Sequence, residues 1–291
     1  MALKFRKDIE IFTPEYALPA EFESVPERRA VVSVSRRMTM IRRITWCVLL
    51  SLALTGSAFA GFLNGGFESG DFTGWTQGAG YWYGGMNNLD PVNYLPGGQF
   101  YDMSANASAV VGPGLDPNTD NNLNMVYAGS YAARVNDSYN NYSVSVISQT
   151  VSNYTDPNIY FAWAAVLQSS HGPTDSDNFG LSLIDDTTGA TLYSVYYNSA
   201  NTPPGLFTQS SSDWFYTAWQ VQQLDVSAMA GDTFTLTLLA SDCPYGGHAG
   251  YVYLDGFGAA PPPPGGTPEP ATMALIGLGL SALAAIRFRK R

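Results

Sequence analysis

The sequence predicts an all-β fold: an antiparallel β-sandwich of the jelly-roll type, flanked by an N-terminal signal helix and a C-terminal single transmembrane helix. Three observations point there. Short stretches of alternating apolar and polar residues recur through residues 61–259, the period of half-buried strands. Turn-forming clusters separate them, and glycine (29) and proline (18) together make up about one residue in six of 291. No stretch of twelve residues between 61 and 259 carries the 3.6-residue period of an amphipathic helix.

In chain order, residues 1–37 are charged and lack a clean period. They read as a translation start placed too early, with Met38 or Met40 as the true start, or as a long basic leader. Neither reading gives them a mature function. Residues 38–60 have the three parts of a secretory signal peptide. Arg42 and Arg43 supply the basic region, Ile44 to Leu54 the apolar run, and Ser57-Ala-Phe-Ala60 the small-residue cut site. Cleavage by signal peptidase is expected between Ala60 and Gly61. Cys47 lies inside the apolar run rather than at its end, which excludes a lipoprotein signal.

The body, residues 61–259, follows. In Asp232 to Ala240, Phe234, Leu236 and Leu238 face one way and Thr233, Thr235 and Thr237 the other. Tyr142 to Val151 alternates as well, and Phe179, Leu181 and Leu183 share a face. Ile159 to Leu167, Leu192 to Tyr197, Gln220 to Val226 and Tyr251 to Leu254 complete a set of short strands. Thr155-Asp-Pro-Asn, Asp185-Asp-Thr-Thr-Gly and Ala230-Gly-Asp mark turns between them. Many strands without helices imply two packed antiparallel sheets. Met86 to Thr119, rich in Asn, Gly and Pro, reads as a long decorated loop.

Charge excludes one class of function. The body holds one cation, Arg134, against sixteen aspartates and one glutamate, a net of −16. A domain without lysine cannot neutralise phosphates, so no nucleic-acid partner is expected. Removal of Cys47 leaves Cys243 as the lone cysteine. That excludes both an internal disulfide and a cysteine-based zinc site; Cys243 reads as a small packed residue. His171 and His248 are the only histidines. A transition-metal pair would require their two loops to meet, but they lack H-x-H or H-E-x-x-H spacing, and His248 reads as a hydrogen-bonded residue at a strand start.

Residues 260–266 form a stiff, exposed Pro/Gly linker. After it come Thr267-Pro268-Glu269-Pro270, an apolar span from Ala271 to Ile286, and Arg287-Phe-Arg-Lys-Arg291. The span is slightly short for a bilayer core, and the basic tail favours the cytoplasmic side. This combination over residues 267–291 resembles the PEP-CTERM sorting signal. The resemblance implies recognition by exosortase at Pro268, Glu269 and Pro270. It also implies a transient membrane anchor through the C-terminal helix, removed before the protein reaches the cell surface or extracellular matrix.

A second resemblance spans the body. Asn64-Gly-Gly-Phe-Glu-Ser-Gly-Asp-Phe-Thr-Gly-Trp75 is similar to the opening of extracellular jelly-roll modules, including many carbohydrate-binding modules. His248-Ala-Gly-Tyr-Val-Tyr-Leu-Asp255-Gly-Phe resembles their final strand, and Tyr131-Ala-Ala-Arg-Val and Ile147-Ser-Gln-Thr-Val fit strands between. The resemblance implies a structural calcium where the first and last strands meet, with Glu68 and Asp255 as ligands; calcium takes oxygen donors.

Aromatic faces that stack on sugar rings are the expected means of binding extracellular polysaccharide. Loop-like candidates are Trp82, Tyr83, Tyr94, Tyr101, Trp214, Phe215 and Tyr216, while Trp75, Trp163 and Trp219 read as core or core-edge. Catalysis has little support, because no G-x-S-x-G motif is present. Carboxylate pairs among so many aspartates arise by chance. The expected protein is non-enzymatic; a glycan-acting enzyme and a purely structural matrix protein are the alternatives.

Overall fold

The structure is a computed structural model that describes residues 61–83, 89–170 and 172–261. The expected extension (1–37), signal segment (38–60) and sorting segment (267–291), with the helices expected there, lie outside these residues, as does His171. Among the described residues no helix is long and apolar enough to cross a membrane.

The described chain is an all-β antiparallel sandwich of two sheets. Numbered in chain order, one sheet runs β1 (Thr76–Tyr81), β4 (Ser143–Val151), β11 (Phe234–Ser241), β6 (Asn178–Asp185) and β7 (Ala190–Asn198). The other runs β2 (Ala109–Val111), β3 (Ala132–Val135), β12 (Gly250–Gly258), β5 (Asn158–Gln168), β9 (Trp214–Thr217) and β8 (Phe207–Gln209); β10 (Gln220–Asp225) also pairs with β5. From β4 onward the chain crosses repeatedly between the sheets, so the core closes only when distant segments meet.

Alternation explains the inner faces. Ile147 and Val151 of β4, Phe179, Leu181 and Leu183 of β6, and Phe234, Leu236 and Leu238 of β11 point inward. They meet Ile159, Phe161, Trp163 and Leu167 of β5 and Val252 and Leu254 of β12. The Trp163 indole donates to the Tyr193 hydroxyl at 2.9 Å, which satisfies the one polar atom of that ring inside the core.

The outer faces are not left to water. On the first sheet, Val144, Val146 and Leu239 pack against Tyr94, with Trp82, Leu89, Leu95 and Phe100 around them. On the second, Ala164, Val166, Tyr251 and Tyr253 pack against Leu123 and Met125. Two long connections, before and after β2, thus lie over opposite sheets. Burial on both faces is why β5 carries a long apolar stretch, and it buries even the serines Ser143, Ser145 and Ser148 of β4.

The first connection fits because β1 is nearly bare. A Cβ on Gly78 would strike the Tyr94 carbonyl, and one on Gly80 would strike the Phe100 carbonyl. These glycines let a second backbone cross the sheet. The second connection is fastened by Asp116, which is fully buried. Its carboxylate accepts from the Tyr251 hydroxyl at 2.7 Å, the Tyr253 hydroxyl at 2.8 Å and the Asn118 amide at 2.8 Å.

The glycine argument has a direct consequence. Gly80→Ala is expected to destabilise the chain by about 1–3 kcal/mol through overpacking against backbone. Gly112→Ala, with open space at its Cβ, is expected to stay within about 0.5 kcal/mol of the parent. Denaturant midpoints of the two variants check this.

Candidate functional site

The opening motif folds into a knot. The Asn64 side chain donates to the carbonyls of Asp71 and Thr73 and accepts from the Ser69 amide, and the Asn64 carbonyl accepts from the Trp75 indole. Phe67 is buried and stacks on Trp75 at 5.0 Å. Gly65 runs against β12: its carbonyl accepts from the Phe257 amide at 3.0 Å. A Cβ there would overlap the Phe257 carbonyl.

This contact brings Glu68 and Asp255 to one short segment, residues 127–131. Asp255 is on the outward face of β12, paired with Ala162. Its Oδ2 accepts from the amides of Tyr127 at 3.0 Å and Ala128 at 2.9 Å. Glu68 Oε1 accepts from the amides of Ser130 at 2.9 Å and Tyr131 at 3.1 Å. Between them Gly129 adopts φ +70, and a Cβ there would collide with the Glu68 carboxylate. Asp255 Oδ1 is buried and meets no donor among the described residues. Burial pushes the Asp255 carboxyl up to about 8, against three backbone donors, and the Glu68 charge raises it further. The donors are all oxygens, one of them a buried acceptor lacking a positive partner. That set fits a hard cation.

The other end of β12 holds a second polar cluster. Asp242 Oδ2 accepts from the Asn141 and Ser143 amides and the Ser143 hydroxyl, and Oδ1 accepts from the Asn136 amide group. Burial pushes the Asp242 carboxyl up to about 7 despite these bonds. Asp177 accepts from the Ser199 hydroxyl at 2.6 Å and the Gln168 amide at 3.1 Å. Its complete burial, with the Asp242 charge as a lesser cause, raises it well above the ordinary range. Sequence reasoning missed this network. Its members lie far apart in the chain, and an aspartate among sixteen carries no local signal.

The aromatic candidates do not gather on one surface. Tyr94 is fully buried over the first sheet, so it offers no face to a sugar, contrary to the expectation. Its place is fixed by a 3-10 turn, Pro91–Asn93, capped by Asp90. Trp82 is half-buried in the same cluster. Trp214, Phe215 and Tyr216 form β9 rather than a loop. Trp214 is buried against the second sheet beside Tyr251, and Tyr216 packs on the same cluster half-buried. Trp219 is half-buried on that outer face, with its indole bonded to the Asn124 carbonyl at 2.8 Å. Trp75 and Trp163 are in the core as expected.

Tyr83 and Tyr101 remain exposed, at 49% and 40%. Tyr83 is not alone. It stacks with Tyr81 at 6.3 Å and meets Tyr142 at 5.0 Å. Tyr139 and Tyr245 are also exposed, three residues from Tyr142 and beside the Gly246 that touches the Tyr142 ring. Tyr81 pairs with Ser143 at the start of β4, so this tyrosine group sits at the end of the sandwich where β12 begins.

Comparison with known proteins adds the following. The PEP-CTERM protein-sorting motif matches residues 267–291. No curated protein matches the chain. Similar solved structures include a carbohydrate-binding module in complex with β-1,4-galactotriose: 15% identity, 67% of this chain, 94% of that one, TM-score 0.35. A carbohydrate-binding module specific for non-crystalline cellulose is similar at 16% identity, with 67% and 92% covered and a TM-score of 0.33. The C-terminal family 22 carbohydrate-binding module of Clostridium thermocellum Xyn10B is similar at 15% identity, with 70% and 97% covered and a TM-score of 0.28.

The buried carboxyls fix a pH dependence. A carboxyl raised in the folded state stabilises the fold fully below its ordinary value, and that contribution is lost as pH rises through the raised value. With Asp242 at about 7 and Asp255 at about 8, the chain in chelator is expected to melt at progressively lower temperature from about pH 5 to about pH 9. Asp255→Asn is expected to flatten the upper part of that slope, read by melting scans across pH.

Proposed function

We propose that this is an exported protein, sorted to the cell surface or extracellular matrix by an exosortase-type system, whose sandwich binds or organises extracellular polysaccharide without catalysis. The observation that carries the reading is positional. β12 ends at Gly258, and the chain leaves there toward the sorting motif at 267–291. The tyrosine group of exposed Tyr83 with half-buried Tyr81 and Tyr142 lies at the opposite end of the sandwich. A domain tethered through its C-terminus presents those rings outward. Signal peptidase acting at Ala60 and Gly61, and a transient C-terminal anchor, complete the export route in this reading.

The ligand is a neutral glycan. A body of net charge −16 repels anionic polymers, and tyrosine rings offer faces to pyranose rings with hydroxyls at the edge. The non-catalytic part of the proposal is supported by the state of the buried aspartates. Asp177 and Asp242 are enclosed by backbone and hydroxyl donors, so neither is presented to a polymer.

Glu68 and Asp255 are the residues that would hold a structural calcium. Bound there, calcium would supply the positive charge that the Asp255 carboxylate lacks. The chain's own part is the Tyr127–Tyr131 segment, which orients both carboxylates through backbone amides. Because Asp255 is protonated below about pH 8, calcium competes with a proton at that atom.

Three measurements test the reading. Calcium is expected to raise the melting temperature, more at pH 9 than at pH 6, and Asp255→Asn is expected to abolish the rise. Affinity electrophoresis is expected to show retardation in a neutral polysaccharide. Tyr83→Ala should weaken it by about 1 kcal/mol, roughly fivefold; no retardation in any neutral polysaccharide favours a purely structural matrix role. Intact mass of the exported protein is expected to lack residues 271–291, and their retention overturns the sorting claim.

A further inference from the structure

Cys243 closes β11 into a tight loop, Cys243-Pro-Tyr-Gly-Gly-His248, before β12 begins. The loop is pinned at both ends. The Cys243 amide donates to the His248 carbonyl at 2.9 Å, and the Gly246 amide donates to the Cys243 carbonyl at 3.3 Å. Gly246 takes φ +73 and passes so close to the Tyr142 ring that a Cβ would collide with it. The closure places the Cys243 sulfur and the His248 imidazole on the same side. Asp175 arrives from the β5–β6 connection, in a turn closed by its own amide to the Gly172 carbonyl at 3.0 Å.

Ligand atoms of these three residues, one from each, all lie within 4.8 Å of one another. We propose that Asp175, Cys243 and His248 form a site for a borderline transition-metal ion, with zinc the best chemical fit. Around zinc, S and N donors at 2.0–2.3 Å in tetrahedral geometry stand about 3.5 Å apart, so the three side chains need only a small contraction. One thiolate, one imidazole and one carboxylate form a donor set that favours zinc over calcium or magnesium. Their formal charge of −2 matches a divalent ion.

A second observation concerns the sulfur itself. The Gly247 amide donates to Cys243 Sγ at 3.1 Å. A metal-bound thiolate at this position would keep that backbone donor. A single cysteine reads, on sequence alone, as excluding a cysteine-based zinc site; it suffices once a carboxylate and an imidazole from separate loops complete the set. The same residue types also make a nucleophilic thiol with its base and orienting acid. Burial decides between the two. Cys243 has no exposed surface, so no polymer or acyl carbon reaches its sulfur, whereas Asp175 and His248 are half-buried. This site is independent of the glycan and calcium readings.

Cobalt(II) is the probe, because a cobalt–thiolate bond absorbs in the near ultraviolet. The experiment uses the full chain carrying Cys47→Ser, so that Cys243 is the one thiol, after dialysis against chelator. One equivalent of cobalt is expected to produce the thiolate charge-transfer band, and zinc is expected to displace it and raise the melting temperature. Cys243→Ser is expected to lose the band; His248→Ala and Asp175→Asn are expected to lose stoichiometric uptake. The two half-buried positions guard against misfolding, and each variant is checked for an unchanged circular dichroism spectrum in chelator. A folded parent chain that shows no band, or a band that persists in Cys243→Ser, overturns the proposal. So does rapid alkylation of Cys243 in the folded, metal-free chain, which would mark an accessible nucleophile instead.

Discussion

A body with seventeen carboxylates and one guanidinium has to dissolve its buried acids in N–H and O–H donors, because it has almost no cations to offer them. Arg134 itself donates to the Asn136 carbonyl and lies over the Tyr251 ring. Asp116, Asp177, Asp242 and Asp255 are each buried, and burying a carboxylate is costly unless it is hydrogen-bonded or neutralised. Each is therefore placed where a connection meets a strand end and backbone amides are otherwise unpaired. Asp116 fastens the second connection to Tyr251 and Tyr253. Asp242 fastens the Asn136–Ser143 turn, Asp177 ties the entry of β6 to β5 and Ser199, and Asp255 ties residues 127 and 128 to β12. Among the described residues, these segments are thus fastened by acids through amide and hydroxyl donors.

That constraint also decides which aromatic rings are exposed. With Asp116 holding one connection down and the bare β1 admitting the other, the outer faces of both sheets are covered at their centres. Rings there, such as Tyr94, Trp214, Tyr251 and Tyr253, become packing material. Aromatic surface survives at the strand ends, in Tyr83 and its two neighbours, and at half-covered edges such as Trp219. A flat sugar-binding sheet face of bare strands is not what this chain presents; its open aromatic surface is a short tyrosine stack.

The parts of the fold written in period two were legible. β6 and β11 have inner faces that can be marked residue by residue in the sequence, because their alternation is local; β4 alternates too, but Val144 and Val146 pack under Tyr94 on the outer face while Ile147 and Val151 face the core. β1 was not, since Thr-Gln-Gly-Ala-Gly-Tyr has no apolar side to alternate; its glycines answer to a backbone that crosses from residues 94 and 100. β9 was read as loop because three consecutive aromatics give no period, and only pairing with Val166 and Gln168 makes them a strand. Tyr94 shows the same limit from the other side: a residue after Asp-Pro in a Gly-rich stretch is correctly a turn, yet its burial is set by a sheet reached much later in the chain. Glu68 and Asp255 were suggested by a resemblance at the two ends of the body. The tight Cys243–His248 loop is local, but Asp175 enters through a tertiary contact that no spacing records.

Donor chemistry separates the two ends of β12. Near its end, Asp255 and Glu68 present oxygen alone, held by amides that leave one oxygen without a positive partner. Just before its start, Cys243 and His248 add sulfur and nitrogen to the oxygen of Asp175. A hard ion gains little from thiolate, and a borderline ion has no special preference for carboxylates, so occupancy of one site leaves the other to its own ion. The body, residues 61–259, has no lysine and one arginine, so its buried carboxylates rely on N–H and O–H donors and on protons, and protons become scarce as pH rises. The composition that makes the body acidic thus also sets a pH dependence at both ends of β12, where Asp242 and Asp255 are raised by burial.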